Sequence, residues 1–440
     1  MATSPASPLG EKEETFLENY FLFISQFAFD KAKDIVEKEQ THKGSAMSPW
    51  GQLIHSLAQF AAAEKTYMSL TFLEQKWFAR SRDSLRHVYQ LLGQDFRKVE
   101  ESVRQQENGL PGPSWEFEQL LAHLCGQLCN FLAARQRTMD FYEQMSAMGT
   151  YKSMNYEDLV KVITDINKSN TKSFHHPLLS YLKSSFSMEC EIVSHLLNAQ
   201  MFMTQWQFLP SLFQLHQAHS KLMSWGAAAQ VKEHKKSFGV SSVKHGMWPA
   251  LYQWLLKYKS LLVSKFSLYF YEILSKQTVP NEMKNLITKT SEDFVSKIII
   301  FQKKCDAKNI SLVLDIQGIE ESYKGPGYHY PNKICEPPKG LDCYPAIFSY
   351  PQEKPSSVWP NVVMLINQRN SEPDKVNSFY DKKAQCTYFT IKVDTRLNLV
   401  VLFETRKSEK DSYVVGFLTE MGILLKCSKL FTSLKPSVRA

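Results

Sequence analysis

SWEFEQLLAHLCGQLCNFLAARQRTMDFYEQM, residues 114–145, decides the fold class. Phe117, Leu120, Leu121, Leu124, Leu128, Phe131, Leu132, Met139, Tyr142 and Met145 recur at helical spacing and make a single stripe. A 3.6-residue period of this kind marks an amphipathic helix that must bury one face. Ser114 opens it, and Glu116 and Glu118 suit the positive end of the helix dipole. The turn-rich Asn108-Gly-Leu-Pro-Gly-Pro-Ser run separates it from another helix predicted over 83–106.

Upstream, residues 1–12 are rich in Pro and Ser and are expected to be a loose tail. Phe16, Tyr20, Phe23, Ile24 and Phe27 then fall on one helical face. THKGSAMSPW at 41–50 breaks the pattern, and its Ser48-Pro49 is fit to cap and open the next helix, SLAQFAAAEKTYMSLTFLEQ. Downstream, helices are expected near 155–168, 178–208, 211–229 and 248–274, with Pro177 and Pro210 in first turns where a missing N–H costs nothing. The polar, basic KEHKKSFGVSSVKHGM at 232–247 is expected to be a mobile loop.

The pattern changes after Thr278-Val-Pro-Asn. One further helix over about 281–305 leads to Ile310, Leu312, Leu314 and Ile316, alternating with Ser311 and Asp315 at the period of a strand. Short apolar runs follow at 345–349, 361–367, 386–393 and 397–404, and NVVMLIN and LNLVVLFE read as buried strands. A helix over about 409–426 closes the chain. The expected fold is multidomain, α and α+β. Residues 13–278 form a long-helix bundle, and 279–440 form a smaller domain with a mostly antiparallel sheet of about five strands and flanking helices.

The 440 residues are 43% hydrophobic and 22% charged, the balance of a globular protein. No stretch approaches the roughly 18–20 apolar residues that span a bilayer. MATSPASPLGEKEETF lacks the basic and apolar regions of a secretory leader, and the eight scattered cysteines fit a reducing compartment. A net charge of +8 is mild for this length and does not argue for nucleic acid.

No phosphate loop, nucleophile elbow or HExxH motif appears. Gly325-Pro-Gly327 lacks the third glycine and the following helix of a nucleotide site. His175-His176-Pro177 suits a cap before a helix better than a metal site, because no further ligand stands at zinc spacing. Cys125 and Cys129, one turn apart beside the apolar stripe, are expected to be core thiols rather than ligands. Cys335, Cys343 and His329 are one short of a structural zinc set. The apolar block Met201, Met203, Trp206, Phe208, Leu209, Leu212, Phe213 and Leu215 is expected to be a helix–helix corner in the core, with a partner groove as the alternative. Two basic clusters are candidate partner contacts: Lys232, Lys235 and Lys236 in the loop, and Arg406, Lys407 and Lys410 between the last strand and helix. Three loop lysines are too few to argue for direct binding to an anionic membrane. No catalytic, cofactor or metal site is expected. The rival to an adaptor is a small-molecule or nucleotide-binding regulator, with a pocket in the C-terminal α+β domain near His329, Tyr330 and Cys335.

Nine blocks add a resemblance: DKAKDIVEKE (30–39), SLAQFAAAEKTYMSLTFL (56–73), FHHPLLS (174–180), WQFLPSLFQLHQAHSKLMSWG (206–226), KFSLYFYEILSKQT (265–278), WPNVVMLINQR (359–369), FYDKKAQCTYF (379–389), FETRKSEKDSYVVGFL (403–418) and FTSLKP (431–436). Collinear over most of the chain, they resemble the KICSTOR subunit 2 family. The tail, 41–50, 104–114 and 232–247 fit that family poorly. The resemblance implies a scaffold that assembles with kaptin, an FG-GAP repeat protein and a very large scaffold subunit. It implies residence at the lysosomal surface, where the complex tethers the GATOR-one GTPase-activating complex near the Rag GTPases. TOR complex one is then repressed when amino acids or glucose run short. It carries no catalytic residues to this chain.

Overall fold

The structure is a computed structural model that describes residues 11–42, 48–74, 84–105, 113–148, 155–170, 172–230, 248–319, 323, 325, 336–369 and 375–435. Its helical part runs α1 (Glu11–Ser25), α2 (Phe29–His42), α3 (Pro49–Met68), α4 (Leu85–Gln105), α5 (Pro113–Met148), α6 (Tyr156–Asn170), α7 (Ser180–Thr204), α8 (Phe208–Gln230), α9 (Ala250–Tyr269), α10 (Tyr271–Gln277), α11 (Pro280–Thr288) and α12 (Phe294–Cys305). Sequence neighbours pack on one another in turn, as short connections dictate. Ser48 caps α3, its hydroxyl accepting from Gly51 N–H at 3.1 Å, and Pro49 fills the first turn as its sequence requires.

Three helices expected to be single are each two. The first breaks at Phe27, whose φ of 60° lies in the left-handed region. The helix from 248 divides at Phe270. The one over 281–305 divides before Asp293, whose carboxylate caps α12 by accepting from Ser296 N–H at 2.8 Å. The first two breaks sit where an apolar face continues through the corner, so periodicity gives no warning of them; the third falls in the polar run Lys289-Thr-Ser-Glu-Asp293.

The remaining elements are β1 (Asn309–Leu314), β2 (Ala346–Tyr350), α13 (Trp359–Arg369), β3 (Asn377–Asp381), β4 (Cys386–Asp394), β5 (Leu397–Phe403), α14 (Ser412–Leu425) and α15 (Ser428–Thr432). The five strands form one antiparallel sheet in the order β2-β1-β5-β4-β3. Its two faces alternate residue by residue. Ile310, Leu312, Phe389, Ile391, Leu399 and Val401 join the core shared with the helices, whereas Val313, Tyr388, Val400 and Leu402 pack under α13.

The strand expected at 361–367 is a correction: it is the middle of α13. Trp359, Val362, Val363 and Ile366 are buried at spacings of three, one and three, while Met364 is exposed. A short apolar run cannot by itself be told from a buried strand, and here helical burial wins because one face lies on the sheet. The fifth strand is β3, a half-buried edge whose NSFYD carries little apolar signal.

Two buried charge clusters organise the interior. On α5, Arg135 lies between Glu64 of α3 and Glu189 of α7, at 2.9 Å and 2.7 Å. Tyr89 donates to Glu64 at 2.8 Å, and Tyr67 and Tyr142 donate to Glu189 at 2.6 and 3.0 Å. Burial works against the charge on Arg135, but the two carboxylates outweigh it and raise its pKa above the ordinary guanidinium value. The second cluster joins the helices to the sheet. Lys265 of α9 and Tyr269 reach Asp394 at the end of β4, at 2.8 and 2.9 Å. Burial would raise the pKa of Asp394, and Lys265 more than offsets this to hold it below its usual value. Near it, Trp254 Nε1 donates to Leu430 O at 3.0 Å, and Phe431 of α15 packs on Tyr258. One apolar cluster therefore runs from Leu17 to Leu434.

Arg135→Leu strands two buried carboxylates and is expected to cost about 3–5 kcal/mol. The triple variant Glu64→Gln, Arg135→Leu, Glu189→Gln is expected to recover most of that loss, read as urea midpoints at constant m-value. The Lys265–Asp394 pair predicts a pH effect with a definite sign. The folded-state pKa of Asp394 is depressed, so its contribution is fully present above its unfolded pKa, about 4, and fades as pH falls below it. Asp394→Asn is expected to shrink that acid-side slope in melts between about pH 5 and 3.

Candidate interaction surfaces

The turn between β5 and α14 is built by hydrogen bonds rather than by apolar burial. Thr387 of β4 donates to Thr405 O at 2.7 Å and accepts from Lys407 N–H at 3.0 Å. Asp411 then caps α14, accepting from Tyr413 and Val414 N–H groups. The turn is thus fixed while Arg406 and Lys410 are exposed. The Arg406 guanidinium lies over the Tyr380 ring at 5.4 Å and the Lys407 ammonium over Phe403 at 4.9 Å. These are cation–π placements that leave the charges outward. Lys232, Lys235 and Lys236 lie outside the described residues, as do His329, Tyr330 and Cys335.

The apolar block around Pro210 divides in two. Met203, Trp206 and Leu215 enter the core as the corner reading requires. Leu209, Leu212 and Phe213 do not: they are 44%, 41% and 58% exposed on the outer face of α8. The period is the same for both sets, so only the packing of α8 on α7 and α9 tells the inner stripe from the outer.

An open groove of ≈470 Å³ lies between α4, α5 and the segment before α7, lined in part by Arg97, Glu100, His123, Cys129 and His175. Gln127 governs it. Its Oε1 accepts from both the His175 and His176 backbone N–H groups at 2.6 Å. Its amide nitrogen therefore donates to His123 Nε2 at 2.8 Å, which makes that ring nitrogen the acceptor of the pair. His176 is the helix cap its sequence suggests, with Nδ1 accepting from Leu178 N–H at 3.2 Å. Its ring is buried, and burial together with His123 and His175 lowers its pKa to about 4. Glu100 is engaged with Arg104 at 2.6 Å. Burial pushes the Cys129 and Cys125 thiols up, away from the reactive thiolate. Among the described residues no group of three or more His, Cys, Asp or Glu side chains is placed to hold a metal ion.

The described surface thus presents a basic turn built by hydrogen bonds, an exposed apolar stripe on α8 and a groove ordered by Gln127, on a sheet joined to the helices by a buried ion pair. The comparisons are specific. The family model described as KICSTOR complex C12orf66 like matches residues 6–439. KICSTOR subunit 2 of Danio rerio is 45% identical over 436 residues, covering 97% of this chain and 96% of the relative. KICSTOR subunit 2 of Xenopus laevis is 43% identical over 442 residues, covering 98% of each. The chain belongs to the KICSTOR complex C12orf66-like family.

His176 carries a pH prediction of opposite origin to that of Asp394. Above about pH 6.5 it is neutral whether folded or unfolded. Below that the unfolded chain takes the proton first, so stability falls as pH drops from about 6.5 toward 4, by roughly 2–3 kcal/mol. His176→Asn keeps a cap acceptor but cannot titrate. The difference in Tm between wild type and this variant is expected to change across pH 7.5 to 5; a constant difference would rule the assignment out.

Proposed function

We propose that the chain is a non-catalytic scaffold subunit of a KICSTOR-like complex. In that role it joins kaptin, an FG-GAP repeat protein and a very large scaffold subunit, and the assembly tethers the GATOR-one GTPase-activating complex at the lysosomal surface. Its output is repression of TOR complex one when amino acids or glucose run short. The observation that carries the reading is relatedness over the whole length to proteins named as KICSTOR subunits, at 43–45% identity with matched chain lengths. The groove supports a non-catalytic role, because His123, Glu100 and Cys129 within it are engaged in a structural hydrogen bond, an ion pair and burial.

In this reading residues 13–278 are the helical arm and 279–440 the α+β part, with the Lys265–Asp394 ion pair running between them. Among the described residues no helix is long and apolar enough to cross a membrane. Attachment to the lysosome then falls to the partners. Arg406, Lys407 and Lys410, with Lys232, Lys235 and Lys236 of the α8–α9 connection, are proposed contacts for acidic patches, steering encounter more than adding affinity.

Affinity purification of the tagged chain from fed and starved cells, read by mass spectrometry, tests the proposal. Kaptin, the FG-GAP protein and the large scaffold are expected in both states. Clean recovery of the chain without them would overturn the scaffold assignment. Arg406→Glu combined with Lys410→Glu is expected to slow assembly and to weaken or invert its salt dependence, since attraction to an acidic patch becomes a repulsion that salt screens.

A further inference from the structure

Helices α8 and α9 lie antiparallel. Phe208 stacks on Phe266 with centroids 5.5 Å apart at one end, and Tyr252 donates to Leu222 O at 2.9 Å toward the other. The inner side of α8, with Leu215, Ala218, Leu222 and Trp225, is buried. The outer side carries Leu209, Leu212, Phe213, His216, His219 and Met223, all exposed and spaced by three and four, so they form one continuous stripe. Neither helix contains an Asp or a Glu.

Between them the two helices hold four lysines, Lys221, Lys257, Lys259 and Lys265. Lys221 is satisfied by Glu191 at 2.6 Å, and Lys265 by Asp394. Lys257 is exposed to solvent. Lys259 is different. It is half-buried on the side of α9 that carries Tyr252 and Phe266, and burial first, then Lys259 and His216, lower the pKa of the His219 imidazole. Burial depresses its own pKa, and among the described residues no hydrogen bond or ion pair compensates. A desolvated ammonium beside an exposed apolar stripe is half of an interface, because both costs vanish when a carboxylate on an apolar surface is laid against them.

We propose that this face of α8, with Lys259, receives an amphipathic helix of a partner subunit. Its apolar residues cover Leu209, Leu212 and Phe213, and an Asp or Glu on the same helix reaches Lys259. A helix laid along an apolar stripe is a recurrent mode of recognition, with anchors at spacings of three and four. A second copy of this chain fits poorly: two such faces in isologous contact bring no carboxylate from α8 or α9 to either lysine. An anionic membrane fits poorly too, because one half-buried lysine falls short of the usual cluster of about 4–8 basic residues.

The inference rests on the scaffold reading, and its test separates the two. p-Benzoylphenylalanine in place of Phe213, in the full-length chain within cells, is irradiated and the crosslinked peptide sequenced. The expected product is a segment of a co-purifying subunit with apolar residues at helical spacing and an acidic residue among them. Lys259→Glu is expected to cut the crosslink yield roughly ten-fold or more, and reversing the captured acidic residue to Lys in the same cells restores it. Circular dichroism of Lys259→Glu confirms that the fold is intact. If wild type recovers the subunits but position 213 crosslinks only to lipid, only to a second copy or to nothing, this interface is wrong and the scaffold reading stands. If no subunit is recovered at all, the scaffold reading itself fails.

Discussion

Arg135 between Glu64 and Glu189 is the constraint on which the helical architecture depends. Apolar stripes are non-directional, and a helix can slide along its neighbour at little cost in buried area. A guanidinium that must meet two carboxylates, each also held by tyrosine hydroxyls, tolerates no such slip. A shift of one turn, about 5.4 Å, would separate every pair. The cluster draws on α3, α4, α5 and α7, so it fixes the mutual register of four helices at a single point. It also leaves one excess negative charge in the interior, which the phenolic O–H groups partly stabilise. Burial, followed by Glu64 or Glu189, accordingly raises the pKa of Tyr67, Tyr89 and Tyr142.

Helix positions were legible in the sequence wherever a stripe was long and both ends were marked, as in α3 and α5. The antiparallel sheet of five strands was legible as a count, but not strand by strand. Residues 361–367 were mistaken because a seven-residue apolar run satisfies either period, although Trp359, Val362, Val363 and Ile366 already held the helical spacing. β3 escaped because a half-buried edge needs few apolar residues. The buried charges left a trace that was not used. Arg135 stands in the gap of the α5 stripe between Leu132 and Met139, and Glu189 stands between Phe186 and Val193 on α7. A charge on an apolar stripe signals a partner across the core, but sequence alone does not say where that partner lies.

The candidate surfaces divide the same way. Arg406, Lys407 and Lys410 were visible as charge, but their immobilisation by Thr387 and Asp411 depends on tertiary placement. Leu209, Leu212 and Phe213 of the outer α8 stripe were read with the core corner, a partner groove being the alternative, because periodicity records that a face is apolar and not what covers it. A turn whose backbone is already fixed loses less entropy on binding, which suits a docking subunit. The Gln127 amide ties the segment before α7 to α5 through two backbone N–H groups.

The ion pair between Lys265 and Asp394 spans 129 positions of sequence, and Tyr156 meets the Lys426 carbonyl across 270. During synthesis the helices leave the ribosome long before the sheet that completes them. At about 5–20 residues per second the seam around Tyr258 and Lys265 stands open for many seconds, with an uncompensated ammonium and an apolar wall facing water. A nascent chain in that condition is a client for chaperones, and contacts of such long range also slow the final closure.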